Sequence, residues 1–243
     1  MASNKVETLS QKSMSSLEAG ERERLINDVV KYLLILDQKK IPIKKADINK
    51  HVLKESSKAF PHVIREAAKR LEHLFGISLV ELEDKHKGSF ILVNNLELDK
   101  DSYHLTWSEE EECKQGLLIV VLSIIFMSGN VVTDSQLWSA LKKFGVDQDQ
   151  THEVFGNVKK LITQEWARQC YLELTTLPNT DPPIVEVRWG QRVHQETTKR
   201  KILEYVSKIH GIEDVSHWRS QFADVQKSER AEGDQPTTSS QTT

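Results

Sequence analysis

Cysteine is nearly absent. Cys113 and Cys170 are the only two in 243 residues, with no C-x-x-C pair and no Cys/His cluster at metal-ligand spacing. That excludes structural zinc and fits a reducing compartment. There is no excess of positive charge either: a net charge of -3 excludes a chain whose main task is coating nucleic acid, so any DNA contact must come from a local patch. Long apolar runs are missing. The most apolar stretch, Leu117 to Met127, is about half of the roughly 20 residues that span a bilayer as a helix, so no membrane partner is expected. The segment 1–20 is Ser/Lys/Glu-rich without the apolar core of a signal peptide. Catalytic signatures are missing as well: no G-x-G-x-x-G, P-loop, G-x-S-x-G elbow, H-E-x-x-H or EF-hand loop occurs. His51, His62 and His73 recur near three helical turns, but Pro61 interrupts the helix between them, so they read as surface or capping histidines. No carboxylate stands in a recognisably apolar setting that would raise its pKa. The expectation is a chain that is not an enzyme and needs no cofactor or metal.

What is present is a globular composition, 38% apolar and 28% charged, enough to bury a core. The segments 1–20 and 227–243 are polar and turn-prone and are expected to be disordered tails. Leu25, Val29, Leu33 and Leu36 repeat at helical spacing, and the short extended Ile41-Pro42-Ile43 follows. Lys44 to Leu53 reads as a second helix. Phe60-Pro61 opens a third, with Val63, Ala67, Leu71 and Leu74 on one face and Gly76 as terminator. Ile77 to Leu82 and Ser89 to Val93 are strand-like and flank the polar turn Asp84 to Gly88. Three helices and a hairpin make a winged helix.

The same grammar returns about ninety residues later. The apolar helix Leu117 to Met127 precedes an extended Val131-Val132 and a helix Ser135 to Phe144, which Thr133 and Gln136 start as a capping box. A third helix lies around Lys159 to Gln164, and Tyr171 to Thr176 pairs with Ile184 to Trp189 across a long loop holding Pro178, Pro182 and Pro183. Gln195 to His210 is expected as one helix packed back on this unit, with Ile202, Val206 and Ile209 on a face and a basic rim of Lys199, Arg200, Lys201 and Lys208. The fold class is therefore α+β, mostly helical, with tandem winged-helix units of three helices plus a β-hairpin wing each. The expected domains are a tail at 1–20, winged helix A at 21–94, an acidic linker at 95–112, winged helix B with C-terminal helices at 113–226, and a tail at 227–243.

Binding rather than chemistry is where the residues point. The apolar arc of helix one spans about half the circumference, against roughly 100° for an ordinary surface helix, so its excess suits a partner or the second unit. Tyr32, Leu33 and Leu34 are the candidate anchors. Charge is segregated: residues 39–76 hold ten Lys/Arg against four acids, while residues 77–112 hold three against ten. In the second unit, Lys142-Lys143 and Lys159-Lys160 fall at the end of its second helix and on its third, the element that winged helices often present to a duplex. Such lysines would give salt-dependent, sequence-independent affinity for double-stranded DNA, or remain solvated. Neither basic set is interleaved with aromatics or with side chains able to read base edges.

Several runs together resemble the MAGE homology domain. They are Phe60-Pro61 leading to Arg70-Leu71-Glu72 and Phe75-Gly76, Ile91 to Asn94, Leu117 to Leu122, and Ile125 to Asn130. Further along stand Trp138, Phe155-Gly156, Lys160 to Thr163, Tyr171-Leu172-Glu173, Pro178-Asn179, Asp181-Pro182-Pro183 and Trp189-Gly190 with Arg192, Glu196 and Thr197. The similarity covers about residues 22–225, and the run Asp37 to Lys44 looks most like the branch serving a chromosome-maintenance complex. The resemblance implies a non-catalytic adaptor that binds a RING-type ubiquitin ligase subunit, enhances its activity, binds a kleisin subunit, contacts DNA and supports recombination repair of DNA damage. It also implies structural-maintenance-of-chromosomes ATPases as partners through the complex, and a nuclear, chromosome-associated location. By position, Leu33-Leu34 match the paired apolar residues implicated in RING-partner binding, and Leu203 and Val206 are the candidates for the kleisin. Two alternatives stay open: an adaptor for another RING ubiquitin ligase, and a stand-alone winged-helix DNA-binding regulator. Asn157-Val158 departs from the family pattern, where an Asp-Pro pair commonly precedes the basic residues.

Overall fold

The computed structural model describes residues 18–96 and 108–233. The chain divides into two compact units, residues 1–105 with Arg168–Cys170, and residues 106–167 with 171–243.

The first unit opens with α1 (Ala19–Asp37), whose Ile26, Val29, Val30 and Leu33 point into the core. After Pro42 come the short β1 (Ile43–Lys44) and α2 (Lys45–Ile48), which continues through a wide helical turn to Leu53. The long α3 (Phe60–Phe75) carries Pro61 in its first turn, where a missing N–H costs nothing, and buries Val63, Ala67 and Leu71. It ends at Gly76, in the left-handed region at φ 63°, with its N–H turned back to the Leu71 and Glu72 carbonyls. Leu96 lies directly over that glycine: a Cβ there would fall 2.4 Å from its Cδ2. β2 (Ile77–Glu81) and β3 (Ser89–Asn94) form the wing, and β1 adds to the other side of β3, giving the antiparallel order β1-β3-β2. The core joins Leu33, Ile48, Val63, Leu71 and the tilted Phe60–Phe90 pair, whose ring centroids are 6.1 Å apart.

The second unit repeats the plan. Its first helix, α4 (Glu109–Met127), is started by a reciprocal capping box between Ser108 and Glu111. Glu109 to Glu112, expected in the linker, are thus the first turn of the helix, where acidic side chains offset the positive end of its dipole. β4 (Val131–Thr133) leads into α5 (Asp134–Lys143), and the Thr133–Gln136 capping box read from the sequence is formed in both directions. α6 (Val158–Lys160) continues as a wide turn through Trp166. Asn157 caps it by accepting the Lys160 N–H at 2.8 Å, so a side chain supplies the helix start that the family's Pro would otherwise fix. β5 (Leu172–Thr176) and β6 (Val185–Trp189) form the second wing, with sheet order β4-β6-β5. The core gathers Val121, Ile125, Leu137, Leu141 and Trp189, and the Trp189 indole N–H donates to the Leu122 carbonyl at 3.0 Å.

Three boundaries differ from the sequence reading. The stretch 195–210 is not one helix but α7 (Gln191–Glu196) and α8 (Lys199–Ile209), broken where Thr197 and Thr198 are extended and Thr198 caps α8 through the Lys201 N–H. Helix α9 (Arg219–Gly233) runs beyond residue 227, into the expected tail. Apolar content understated it. Val225 is buried, Gln221 donates to the Met127 carbonyl, and Asp224 accepts from Asn130 at 2.8 Å and Lys199 at 2.7 Å. Finally, Arg168–Cys170 group with the first unit, where Cys170 packs with Leu82, Ile91 and Val93. Local pattern could not place them, because that packing is long-range in sequence. Residues 1–17 of the expected N-terminal tail, 97–107 of the linker and 234–243 of the C-terminal tail lie outside the described residues.

Candidate functional site

On α1 the three candidate anchors separate by helical phase. Leu33 is fully buried in the core of its own unit, so it supports the helix and presents no surface. Tyr32 and Leu34 are half-buried on its flanks, and Tyr32 stacks on His51 at 6.2 Å between centroids. Desolvation, with the Asp47 charge nearby, pushes the Tyr32 phenol above its ordinary range. The most open apolar side chain on the helix is Ile35, 52% exposed, which the sequence reading did not single out. The wide apolar arc thus buries its centre, at Ile26, Val29, Val30 and Leu33, and packs its flanks partly on the same core.

The second unit holds an apolar groove of about 330 Å³. Leu118, Ile119 and Leu122 of α4 form one wall, Ile202 and Tyr205 of α8 the other, with Gln115 and Lys201 at the rim. Leu203 and Val206 are 1% and 7% exposed and are not among the residues that line the groove. The adjoining face of the same turns of α8, at Lys201, Ile202 and Tyr205, lines the groove. Below it, Arg192 is fully buried. Its guanidinium pairs with Glu196 at 3.0 Å and sits 5.5 Å from the Tyr171 ring. A charge so buried is tolerable only when paired, and this pair lies within α7, whose Val193 and Glu196 line the groove.

Lys142, Lys143, Lys159 and Lys160 are all exposed. The loop between α5 and α6 brings two carboxylates to them: Asp147 lies 3.6 Å from Lys142 and Asp149 lies 3.9 Å from Lys159. With Glu153 in the same loop, four lysines meet three acids over residues 142–160, so the patch is weaker than its lysine pairs suggest. Exposed pairs of this kind are worth about 0–1 kcal/mol, little enough for a phosphate to displace the carboxylate. Phe144, 67% exposed, stands directly after Lys143, so one exposed aromatic adjoins this basic set without interleaving it. Phe144 follows the lysine pair in the chain, but only the end of α5 decides that it faces outward.

Among the described residues no group of three or more His, Cys, Asp or Glu side chains could hold a metal ion. No helix among them is long and apolar enough to cross a membrane. The cationic rim foreseen on α8 is tied up in part: Lys199 pairs with Asp224 and Arg200 with Glu229. Ile209, expected on the packed face, is 63% exposed.

Two winged helices in tandem define the class of protein by its fold. A comparison with family models matches the MAGE homology domain over residues 29–200, and the chain belongs to that family. It is 40% identical over 203 residues to the human protein named non-structural maintenance of chromosomes element 3 homolog, an alignment covering 84% of this chain and 66% of that one. The mouse protein of the same name is 39% identical over 221 residues, covering 89% and 78%. Human melanoma-associated antigen D2 is also 40% identical over 203 residues, which are only 33% of its length. Among solved structures, a chain of an Nse1-Nse3-Nse4 complex superposes with a TM-score of 0.81 at 40% identity, covering 86% of this chain and all of that one.

Proposed function

We propose that this chain is a non-catalytic adaptor subunit of a chromosome-maintenance complex built on structural-maintenance-of-chromosomes ATPases. Its relatives in human and mouse are named for such a complex, and the superposed chain was solved in an assembly with two further components, Nse1 and Nse4. The family resemblance supplies their chemistry as a RING-type ubiquitin ligase subunit and a kleisin. The single observation that carries the reading is the apolar groove between α4 and α8, which suits an amphipathic helical segment of a kleisin with apolar side chains at helical spacing. The RING subunit is assigned to the Tyr32, Leu34 and Ile35 face of α1, with Leu33 as the support beneath. The chain would raise the partner's ligase activity by positioning it and would act in the nucleus, on chromosomes, in recombination repair. Lys142, Lys143, Lys159 and Lys160 would contact double-stranded DNA without reading sequence.

Tagged full chain, purified from nuclease-treated nuclear extract and analysed by mass spectrometry, should recover a kleisin, a RING subunit and the large ATPases. Leu34→Ala with Ile35→Ala should lose the RING subunit alone, and Tyr205→Ala with Ile119→Ala the kleisin. A second reading keeps the scaffold and changes the partner, an unrelated RING ubiquitin ligase; the equal identity to melanoma-associated antigen D2 favours keeping it in view. Recovery of that ligase without a kleisin would establish it in place of the first. A chain that recovers neither and binds one DNA sequence selectively would be the stand-alone regulator.

A further inference from the structure

The charge segregation of the first unit is left unexplained by the adaptor reading. On α3, the helix a winged helix offers to a duplex, Lys69 pairs with Glu66 and Arg70 with Glu23, both at 2.9 Å, and Arg70 also donates to Asn27. The lysines gather elsewhere. Lys44 and Lys45, at the junction of β1 and α2, and Lys85 and Lys87, on the wing turn, line one open hollow of about 480 Å³ together with Asn49 and Ser89. No carboxylate is among its lining residues. The two lysine pairs come from stretches about forty residues apart in sequence and are pinned together: the Lys45 N–H donates to the Gly88 carbonyl at 2.8 Å, and β1 pairs with β3 at Lys44–Ser89. Lys45 is held further by its ammonium lying 4.7 Å from the Phe60 ring centroid. Glu81 accepts the Gly88 N–H, and Glu81, Glu83 and Asp84 line a second hollow to which Lys87 also belongs.

We infer that this hollow is a second phosphate-binding site, on the first unit, for the backbone of duplex DNA. Lys44, Lys45 and Lys87, with Lys85 beside them, offer several phosphates a concave cradle that the backbone bonds between β1, α2 and the wing hold in shape. In the second unit, Asp147 lies against Lys142 and Asp149 against Lys159. Ammonium groups that meet phosphates carry no sequence information, so the site gives affinity without sequence preference. The choice of nucleic acid as the source of phosphate rests on the DNA contact proposed above for the second unit.

The test uses the full chain and a fluorescent duplex of about 30 base pairs, long enough to span several helical turns, with anisotropy measured across a salt series. Lys44→Glu with Lys87→Glu should weaken binding at least about tenfold, and the milder Lys44→Ala with Lys87→Ala should lower the log–log salt slope by about 2, near 0.9 for each phosphate no longer neutralised. The alanine pair gives an answer even if the charge-reversed chain misfolds. Bound duplex should also protect Lys44, Lys45 and Lys87 from an acylating reagent, read peptide by peptide. If these variants bind as the parent does while Lys159→Glu with Lys160→Glu loses affinity, the second-unit contact stands and the first-unit site is overturned. If the parent binds no duplex but binds vesicles containing a phosphoinositide through Lys44 and Lys87, the DNA reading fails, and the first-unit site with it.

Discussion

The two units share an order of elements and differ in what surrounds it. In the first, helix α1 is amphipathic: the middle of its wide apolar arc is core, its flanks at Leu25, Tyr32, Leu34 and Leu36 are partly buried against that core, and Ile35 stands outside the arc, exposed. In the second, the equivalent α4 is apolar nearly all round from Leu117 onward, and α7, α8 and α9 cover much of what α1 leaves open. The groove exists because that cover is incomplete along Leu118, Ile119 and Leu122. Two copies of one plan thus make two kinds of surface, a bare helix face and a walled slot, and the difference comes from added helices.

The comparison is broken most severely in the cores. Leu33→Ala in the first unit and Ile125→Ala in the second remove fully buried side chains from equivalent helices, and each should cost about 2–5 kcal/mol in chemical denaturation. Leu34→Ala, beside Leu33, should cost under about half of that, and equal losses at the two positions would contradict the burial difference. Next in size is partner binding: Tyr205→Ala with Ile119→Ala should weaken a kleisin peptide at least about tenfold in titration calorimetry, near 1.4 kcal/mol. Leu34→Ala with Ile35→Ala should leave that affinity unchanged.

The helix ends sharpen the comparison further. Gly76, after α3, and Gly129, after α4, both have positive φ, but only Gly76 lies under a side chain, that of Leu96. Alanine at either position should cost about 1–2 kcal/mol for the left-handed backbone, with Gly76→Ala the larger by its clash. The smallest effect concerns the strap α9. Burial pushes the Asp224 carboxyl up, but hydrogen bonds from Lys199 and Asn130 outweigh it and hold the group below its ordinary 3.8. A carboxylate with a depressed folded value stabilises above its unfolded value and loses that contribution as pH falls through the folded one. Asp224→Asn should therefore lower stability by about 1 kcal/mol at neutral pH, and the gap to the parent should close in an acid titration below the ordinary value.

Much of this was legible in the residues. Period and punctuation suffice for local structure, so Pro61 in the first turn of α3, Gly76 at its end and the Thr133–Gln136 box were readable as they stand. The sites were less so. Leu33, Leu203 and Val206 belong to apolar faces that a sequence pattern identifies, but a pattern does not say which half of a face meets its own core. Ile35, Tyr205 and Phe144 carried no separate signal, being single apolar residues among many. The break at Thr197-Thr198 and the extent of α9 were missed because they depend on capping and on bonds to Met127, Asn130 and Lys199, far away along the chain.

By itself, then, the sequence determined the two winged helices, the absence of recognisable catalytic signatures and the family, because hydrophobic period, caps and turns are local properties and family motifs are strings. Only the tertiary structure decided which apolar residues remain for a partner, which lysines are neutralised by Asp147 and Asp149, and which are gathered by the pairing of β1 with β3. Burial and charge balance are sums over neighbours brought together from distant positions, and those neighbours exist only once the chain has folded.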